Sequence, residues 1–398
     1  MSSIQPPTGS GPQLIGSPDA RPHHNRGTGS NRFRFLLTGI GFVLLLVLPA
    51  LDQWLGLSAG FKSTEKRILA PFPGVEFPHV RTFINQFGAY YKENFGWRNA
   101  LFYQYSQWKF RLLGVSPLPE KVVLGKNGWF FPGNSHNLIV DQYRGLRPLS
   151  SATLDSISGR LNHYQQELAK QGTRLYVIVA PDSYTIYPEN VPDYLKTRTG
   201  ASNFDQLKQH MAQHTTIPFV DVRDKLRAAK AINVTYCQTD THWNDFGSLI
   251  ASMGLAERVR QDFPRIPVPQ LTNYSIRPKP GAPGDLVFLL ALNREIRDSV
   301  NYRIEPATHL RIKTLESIPN PETSLPTQRF VTTVAAAPKL FLLGDSFSYT
   351  MNQFVPGYFR ETYITRSPRL DLKRVRAERP DVLVIEIVER NIDFLTGL

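Results

Sequence analysis

The pattern of apolar and polar positions changes character along this chain, and each change predicts a different kind of element. Residues 1–30 are rich in Pro, Gly, Ser, His and Arg. They offer almost nothing to bury, so a disordered cytoplasmic tail is expected over 1–34. Phe35 to Leu51 then runs FLLTGIGFVLLLVLPAL without a charge. Such a run reaches the short end of what spans a bilayer as a helix, and Trp54 just beyond it suits the membrane interface. Arg21, Arg26, Arg32 and Arg34 all precede it. By the positive-inside rule the N-terminus stays in the cytoplasm and the body is exported, which predicts a transmembrane signal-anchor over 35–55. A cleaved signal peptide fits less well, because Leu48-Pro49-Ala50 and Leu57-Ser58-Ala59 each place Leu where a small residue is needed. A buried core helix is disfavoured by the flanking charge asymmetry and the lack of a polar face.

Residues 80–113 carry Phe83, Phe87, Tyr90, Tyr91, Phe95, Trp97, Leu101, Tyr105, Trp108 and Leu112 at loosely helical spacing. This predicts two helices broken near Asn94-Phe95-Gly96, their aromatics facing the core; a carbohydrate-stacking surface is the alternative. Val122–Leu124 and Trp129–Phe131 flank Lys126-Asn127-Gly128, a tight-turn dipeptide inside a hairpin.

From 151 onward the pattern is α/β. Leu154, Ile157, Leu161, Tyr164 and Leu168 share a helical face, with Ser150 or Ser151 as cap and Gly172 at the stop. The unbroken apolar run Leu175–Ala180 reads as a strand covered on both faces. Phe204, Leu207 and Met211 mark another helix, Phe219–Val222 another strand. A longer helix runs through Phe246, Leu249, Ile250, Met253 and Val259, capped by Asn244 or Asp245. Residues 264–338 are Pro-rich and weakly periodic, and read as an insertion of loops and short strands. Lys339–Leu343 and Val382–Val388 are buried strands again. The alternation predicts a mostly parallel sheet between helical layers, a three-layer α/β body over 62–398 with chemistry at the carboxyl ends of its strands.

Composition narrows the function classes. The chain has 398 residues, 41% of them hydrophobic, enough for a sizeable core. Its single Cys237 excludes an intramolecular disulfide and reads as a buried structural thiol. The formal net charge is +13, and the first 34 residues hold only four arginines against Asp19, so the excess belongs mostly to the body. A basic body suits an anionic partner, but the cations are scattered and no nucleic-acid motif is present, so nucleic acid is not expected.

Two strings carry chemistry: Asp240-Thr241-His242-Trp243 and Gly344-Asp345-Ser346-Phe347. A glycine and a serine directly after a buried strand put the hydroxyl on a sharp turn, where backbone N–H groups can face an oxyanion. Asp240 and His242 are two apart outside regular structure, so a carboxylate can fix one imidazole nitrogen and leave the other as base. Each string alone also reads as an ordinary cap or surface pair. A metal site would need a third ligand that the sequence does not place, so no metal and no cofactor is expected. Arg390, at the end of the last strand, is either a contact to acceptor or oxyanion or one half of a surface ion pair.

The chain resembles the AlgJ/AlgX family of SGNH-hydrolase-like proteins of alginate O-acetylation. Tyr90–Arg98 (YYKENFGWR), Val122–Phe131 (VVLGKNGWFF), Ile186-Tyr187-Pro188-Glu189, Gly284-Asp285-Leu286, Glu389-Arg390 and the two strings above all occur in the family's order. The resemblance implies Ser346 as nucleophile, His242 as base and Asp240 as its orienter, in reversed order relative to ordinary SGNH esterases. Gly344, Asp345, Trp243 and Arg390 become substrate-binding or oxyanion candidates. Ser183 departs from the lysine expected after Pro181-Asp182, which puts a substrate contact there in doubt. With its N-terminal anchor and no carbohydrate-binding domain after the last strand, the chain looks like the AlgJ type. The implied function is a periplasmic, inner-membrane-anchored O-acetyltransferase acting on an exopolysaccharide. Its implied partners are the polysaccharide acceptor, a polytopic membrane acyltransferase supplying acetyl, and an exopolysaccharide biosynthesis and export complex. A polysaccharide acetylesterase and a non-catalytic scaffold of such a complex are the alternatives.

Overall fold

The structure, a computed structural model, describes residues 28–61, 69–75, 77–320 and 325–398. Residues 1–27 of the expected tail lie outside the described residues, and the rest of it is already helical. The described residues fall into two compact units, one within 28–60 and 69–98, the other formed by Phe61 and 99–398.

The first unit holds helices α1 (Thr28–Leu55) and α2 (Val80–Asn94). Within α1, Arg32–Asp52 is long and apolar enough to cross a membrane and is only 11% buried. The two helices expected over 80–113 form: α2, and α3 at Arg98–Leu113. Most of their aromatics do not face a core; the exception is Phe110 of α3, which stacks on buried Phe130 at 6.1 Å. No residue of α2 is buried, α3 buries only Ser106, and Phe87, Tyr91, Tyr105 and Trp108 are exposed. Helical spacing reports which side chains share a face, but not whether anything covers that face.

The second unit continues with the hairpin β1 (Val122–Leu124) and β2 (Phe130–Pro132), whose turn places Asn127 and Gly128 at φ of 54° and 76°. Short α4 (Ile139–Arg144) follows, then α5 (Ser151–Ala169), where the Ser150 side chain accepts from the Thr153 N–H. Strand β3 (Arg174–Ala180) leads into α6 (Ser183–Ile186), α7 (Asn203–His214), β4 (Phe219–Asp221), α8 (Arg223–Ala229) and α9 (Asp245–Arg260), the last capped by Asn244. The Pro-rich stretch contains a two-stranded ribbon, β5 (Tyr274–Lys279) with β6 (Asn301–Pro306), around α10 (Asp285–Leu289). It then contributes β7 (Lys313–Ile318) and β8 (Thr327–Val331) to the main sheet. Strand β9 (Lys339–Leu343), α11 (Phe347–Met351), β10 (Glu361–Thr365), α12 (Leu372–Glu378) and β11 (Val382–Val388) complete the unit.

The main sheet has the order β4-β3-β11-β9-β10-β8-β7. Its first five strands are parallel; β8 and β7 extend it antiparallel. Alternate residues of each strand serve two cores. Tyr176, Ile178, Leu340, Leu342 and Val384 pack with α8 and α9 on one face. Leu175, Val177, Phe341, Leu343 and Ile385 pack with α5, α7 and α12 on the other. The body is therefore the three-layer α/β arrangement expected. Because β3, β11 and β9 are adjacent and parallel, their carboxyl ends bring Asp182, Glu389-Arg390 and Gly344–Ser346 to one edge.

Candidate active site

Strand β9 ends at Leu343, and the chain turns at once into α11 with Ser346 at its N-cap position. Gly344 is required by close approach. A Cβ there would lie 2.6 Å from the Ser348 Cβ and 2.7 Å from Glu386 Oε2. The turn is held from outside its own element. Asp345 N–H donates to Glu386 Oε2 (2.9 Å), and Asp345 Oδ2 accepts from the Val388 N–H (2.7 Å). Asp345 Oδ1 accepts from the Phe347 N–H (2.9 Å), and Arg366 Nε donates to the Asp345 carbonyl (2.5 Å).

The second string sits on a loop closed by a bridge between Tyr236 and Trp243, with Asn244 starting α9 behind it. Asp240 Oδ1 lies 2.7 Å from His242 Nδ1, and His242 Nε2 lies 2.8 Å from Ser346 Oγ. The three expected groups are thus in a hydrogen-bonded line, although His242 and Ser346 stand 104 residues apart. With Nδ1–H directed at the carboxylate, Nε2 is the acceptor for the serine proton. His242 and Ser346 are half-buried, so a substrate can reach the hydroxyl. Ser346 also borders a cleft of about 870 Å³ walled by Leu343, Ile385, Phe394 and Leu395.

A second carboxylate completes the arrangement. Asp285, at the start of α10, accepts from Thr241 N–H (2.8 Å) and Thr241 Oγ1–H (2.6 Å), and its Oδ2 is 3.9 Å from His242 Nδ1. Its own N–H donates to Asp240 Oδ2 (2.8 Å). Burial disfavours charge on the imidazole, yet the hydrogen bond and charge of Asp240, with the charge of Asp285, hold His242 above its ordinary pKa. Burial likewise pushes Asp240 up, but the hydrogen bond and charge of His242 and the N–H groups of Asp285 and His242 outweigh it, leaving the carboxyl below its usual value. Asp285 is raised, by burial and by Asp240. Asp240, His242 and Asp285 bring ligand atoms within 4.8 Å of one another, the beginnings of a cation site, but all three groups are already hydrogen-bonded within the chain.

Residues 122–362 match the family described as the SGNH hydrolase-like domain of acetyltransferase AlgX. This chain belongs to that family. Among curated proteins, the AlgX-family chain is 27% identical over 173 residues to the probable alginate O-acetylase AlgJ of Pseudomonas syringae pv. tomato. That match covers 43% of this chain and 42% of the relative, so less than half of the relative's length is spanned. Among solved structures, the chain is similar in fold to PatB1 of Bacillus cereus (TM-score 0.53, 10% identity, 69% of this chain and 98% of that one). It is similar too to a DHHW family protein from Eubacterium siraeum (TM-score 0.51, 15% identity, 69% and 98%).

The remaining candidates of this AlgX-family chain are placed differently from expectation. Trp243, expected at the substrate, is 1% exposed. Its ring meets Phe347 edge-on at 5.0 Å, and its Nε1 donates to Thr350 Oγ1 (2.7 Å), so it braces α11 from below. Both carboxylate oxygens of Asp345 are taken by backbone N–H groups. The Gly344 N–H donates to the Thr365 carbonyl (3.1 Å) and is not directed at a substrate. Arg390 is no surface residue: its guanidinium donates to buried Asp182 and lies 5.4 Å from the Phe347 ring centroid. Burial disfavours its charge, but Asp182, Asp345 and Asp285 hold Arg390 above its ordinary value. Cys237 is partly buried, and burial together with Asp298 pushes its thiol well up, as fits an inert role. Sequence reasoning assigned no role to Asp285, Asp182, Glu386 or Arg366. Asp285 had a signal, the Gly284-Asp285-Leu286 string; the other three are legible only once β3, β9, β10 and β11 are aligned.

Proposed function

We propose that this protein is a serine-dependent O-acetyltransferase that moves acetyl groups through an acetyl-Ser346 intermediate onto hydroxyls of an alginate-like exopolysaccharide. The observation that carries this reading is the Asp240–His242–Ser346 hydrogen-bonded line in a member of the AlgX family.

In the first step His242 Nε2 takes the Ser346 proton as Oγ bonds to the acetyl carbonyl carbon. The imidazolium so formed is stabilised by Asp240. The donor's acyl bond breaks, and its leaving group takes the proton from His242. In the second step His242 removes the proton of a sugar hydroxyl, whose oxygen bonds to the acetyl carbon, and the Oγ–acyl bond breaks with the proton returned to Ser346. Of the backbone N–H groups from Gly344 to Phe347, three have acceptors within the chain: Gly344 to Thr365, Asp345 to Glu386 and Phe347 to Asp345. Of these four, the Ser346 N–H is the one left for the oxyanion. Arg390 and Arg366 act behind the turn, holding positive charge near Asp345.

The relatives' name, alginate O-acetylase, supports a uronate polymer as acceptor, and the excess of basic residues suits it. The apolar helix over Arg32–Asp52 supports a signal-anchor that holds the body on the periplasmic face of the inner membrane. There it meets its acetyl donor, a polytopic membrane acyltransferase, and the export complex. Purified protein is given a chromogenic acetyl ester with and without an oligosaccharide acceptor. Acetylated oligosaccharide is the expected product; free acetate alone, whatever the acceptor, makes the protein an esterase instead.

A further inference from the structure

Helix α2 is amphipathic in an unusual way. Val80, Phe83, Ile84, Phe87 and Tyr91 follow one another at the spacing of a single helical stripe. Phe83 stacks on Phe87 at 5.9 Å, and Phe87 on Tyr91 at 6.3 Å. Phe72, from the stretch before the helix, meets Phe87 and Tyr90 edge-on at 6.1 Å and 5.2 Å. That stretch is tied down: Ala70 N–H donates to Glu93 Oε2 (2.7 Å), and Asn94 Nδ2 donates to the Ala70 carbonyl (2.9 Å). An ordered aromatic ridge results, yet Ile84 is 61% and Phe72 64% exposed. Arg81 and Lys92, three turns apart and therefore on one flank of the stripe, are exposed as well. A monomeric soluble surface rarely carries such a ridge.

The same unit fixes where the C-terminal end of α2 lies relative to the apolar span. The loop closing α2 packs directly on α1, so closely that a Cβ at Gly96 would overlap the Pro49 carbonyl oxygen. Pro49 is one turn inside the end of the span at Asp52. At 1.5 Å per residue this is a depth of about 5 Å, the level at which an interfacial helix lies between headgroups and acyl chains.

We infer that α2 is an interfacial helix, its Phe72/Ile84/Phe87/Tyr91 ridge inserted among lipid headgroups and its Arg81/Lys92 flank facing anionic phosphates. This rests on the reading of Arg32–Asp52 as a membrane span. A lipid surface fits better than a soluble partner because the ridge is continuous with the span in one compact unit, and the aromatic and cationic pairing is that of membrane interfaces.

The test uses the full chain in vesicles of phosphatidylethanolamine and phosphatidylglycerol. Photoreactive benzoyl-phenylalanine replaces Leu44, Ile84, Asn85 or Phe87, one per sample, and lipid adducts are read by mass spectrometry. Leu44, Ile84 and Phe87 are expected to label lipid, with Asn85, off the stripe, about tenfold lower. Labelling at Leu44 with Phe87 no higher than Asn85 overturns the interfacial helix and leaves the anchor standing. No labelling at Leu44 removes the anchor, and the inference with it. In whole cells, capture of a protein in place of lipid at Phe87 overturns lipid as the occupant.

Discussion

Beside Ser346, every polar group of Asp345 is bonded within the chain, whereas along α2 the large apolar groups are left uncovered by the described residues. The Asp345 turn is tied to Glu386 and Val388 of β11, to Arg366 just after β10 and to Phe347 at the start of α11. Helix α2 buries no residue at all. The two regions obtain their order from different sources. The Ser346 turn is preorganised by its own fold, so a reacting hydroxyl is held with few degrees of freedom left to lose. The α2 ridge is shaped by ring-on-ring contacts, and no described residue covers it.

Breaking the preorganised side has the largest expected effect. Ser346→Ala removes the reacting oxygen, and acetyl transfer by the purified protein should fall about ten-thousandfold with the melting temperature little changed. Full-length Ser346→Ala that still restores polymer acetylation in cells would leave only the scaffold reading. Asp240→Asn should cost about a thousandfold, because the imidazole loses the partner that fixes its tautomer. The pH profile carries a second readout. His242 must be neutral to act as base, and its pKa is raised chiefly against burial by Asp240. Wild-type activity should therefore rise with pH through a value above the ordinary imidazole range. In Asp240→Asn the charged imidazole loses its support, so that limb should move to lower pH. An unmoved limb would mean that some other group controls it.

Gly344→Ala sharpens the comparison by testing the turn rather than the reacting groups. Its Cβ would press on Ser348 and Glu386, so thermal unfolding should show a loss of about 1–3 kcal/mol together with reduced transfer. The smallest effect is expected on the other side. Phe87→Asp, on the exposed ridge, should leave body stability within about 0.5 kcal/mol and transfer to a soluble oligosaccharide unchanged. A large loss of stability there would show that the ridge is covered by the chain itself.

The sequence made the sheet legible where strands are buried on both faces. Leu175–Ala180 is an unbroken apolar run, Lys339–Leu343 is one after its first residue, and Val382–Val388 is interrupted only by Glu386; these three strands form the centre of the sheet. Strand β10 (ETYIT) was not legible, since Glu361 and three threonine or tyrosine positions disguise a strand whose interior is buried. Strands β7 and β8 were read as part of an insertion because edge strands alternate and carry charge; β7 has no buried residue. The hydrogen-bonded line was legible as residue types, two strings with the right chemistry. Its supports were not. Asp182 and Arg390 are 208 residues apart and pair only because β3 and β11 run parallel side by side. The aromatics of α2 were misplaced for a related reason: periodicity records a shared face, while its covering is decided by the rest of the fold and by what lies outside the chain.

An acetyl-Ser346 intermediate is covalent and can be weighed directly. The full-length protein is incubated with an activated acetyl ester, quenched in acid and digested, and the peptide spanning Gly344–Ser348 is sequenced by tandem mass spectrometry. Acetyl is expected on Ser346, accumulating without acceptor and discharged when oligosaccharide is added. Acetyl on another residue, or equal labelling of the Ser346→Ala protein, would contradict it.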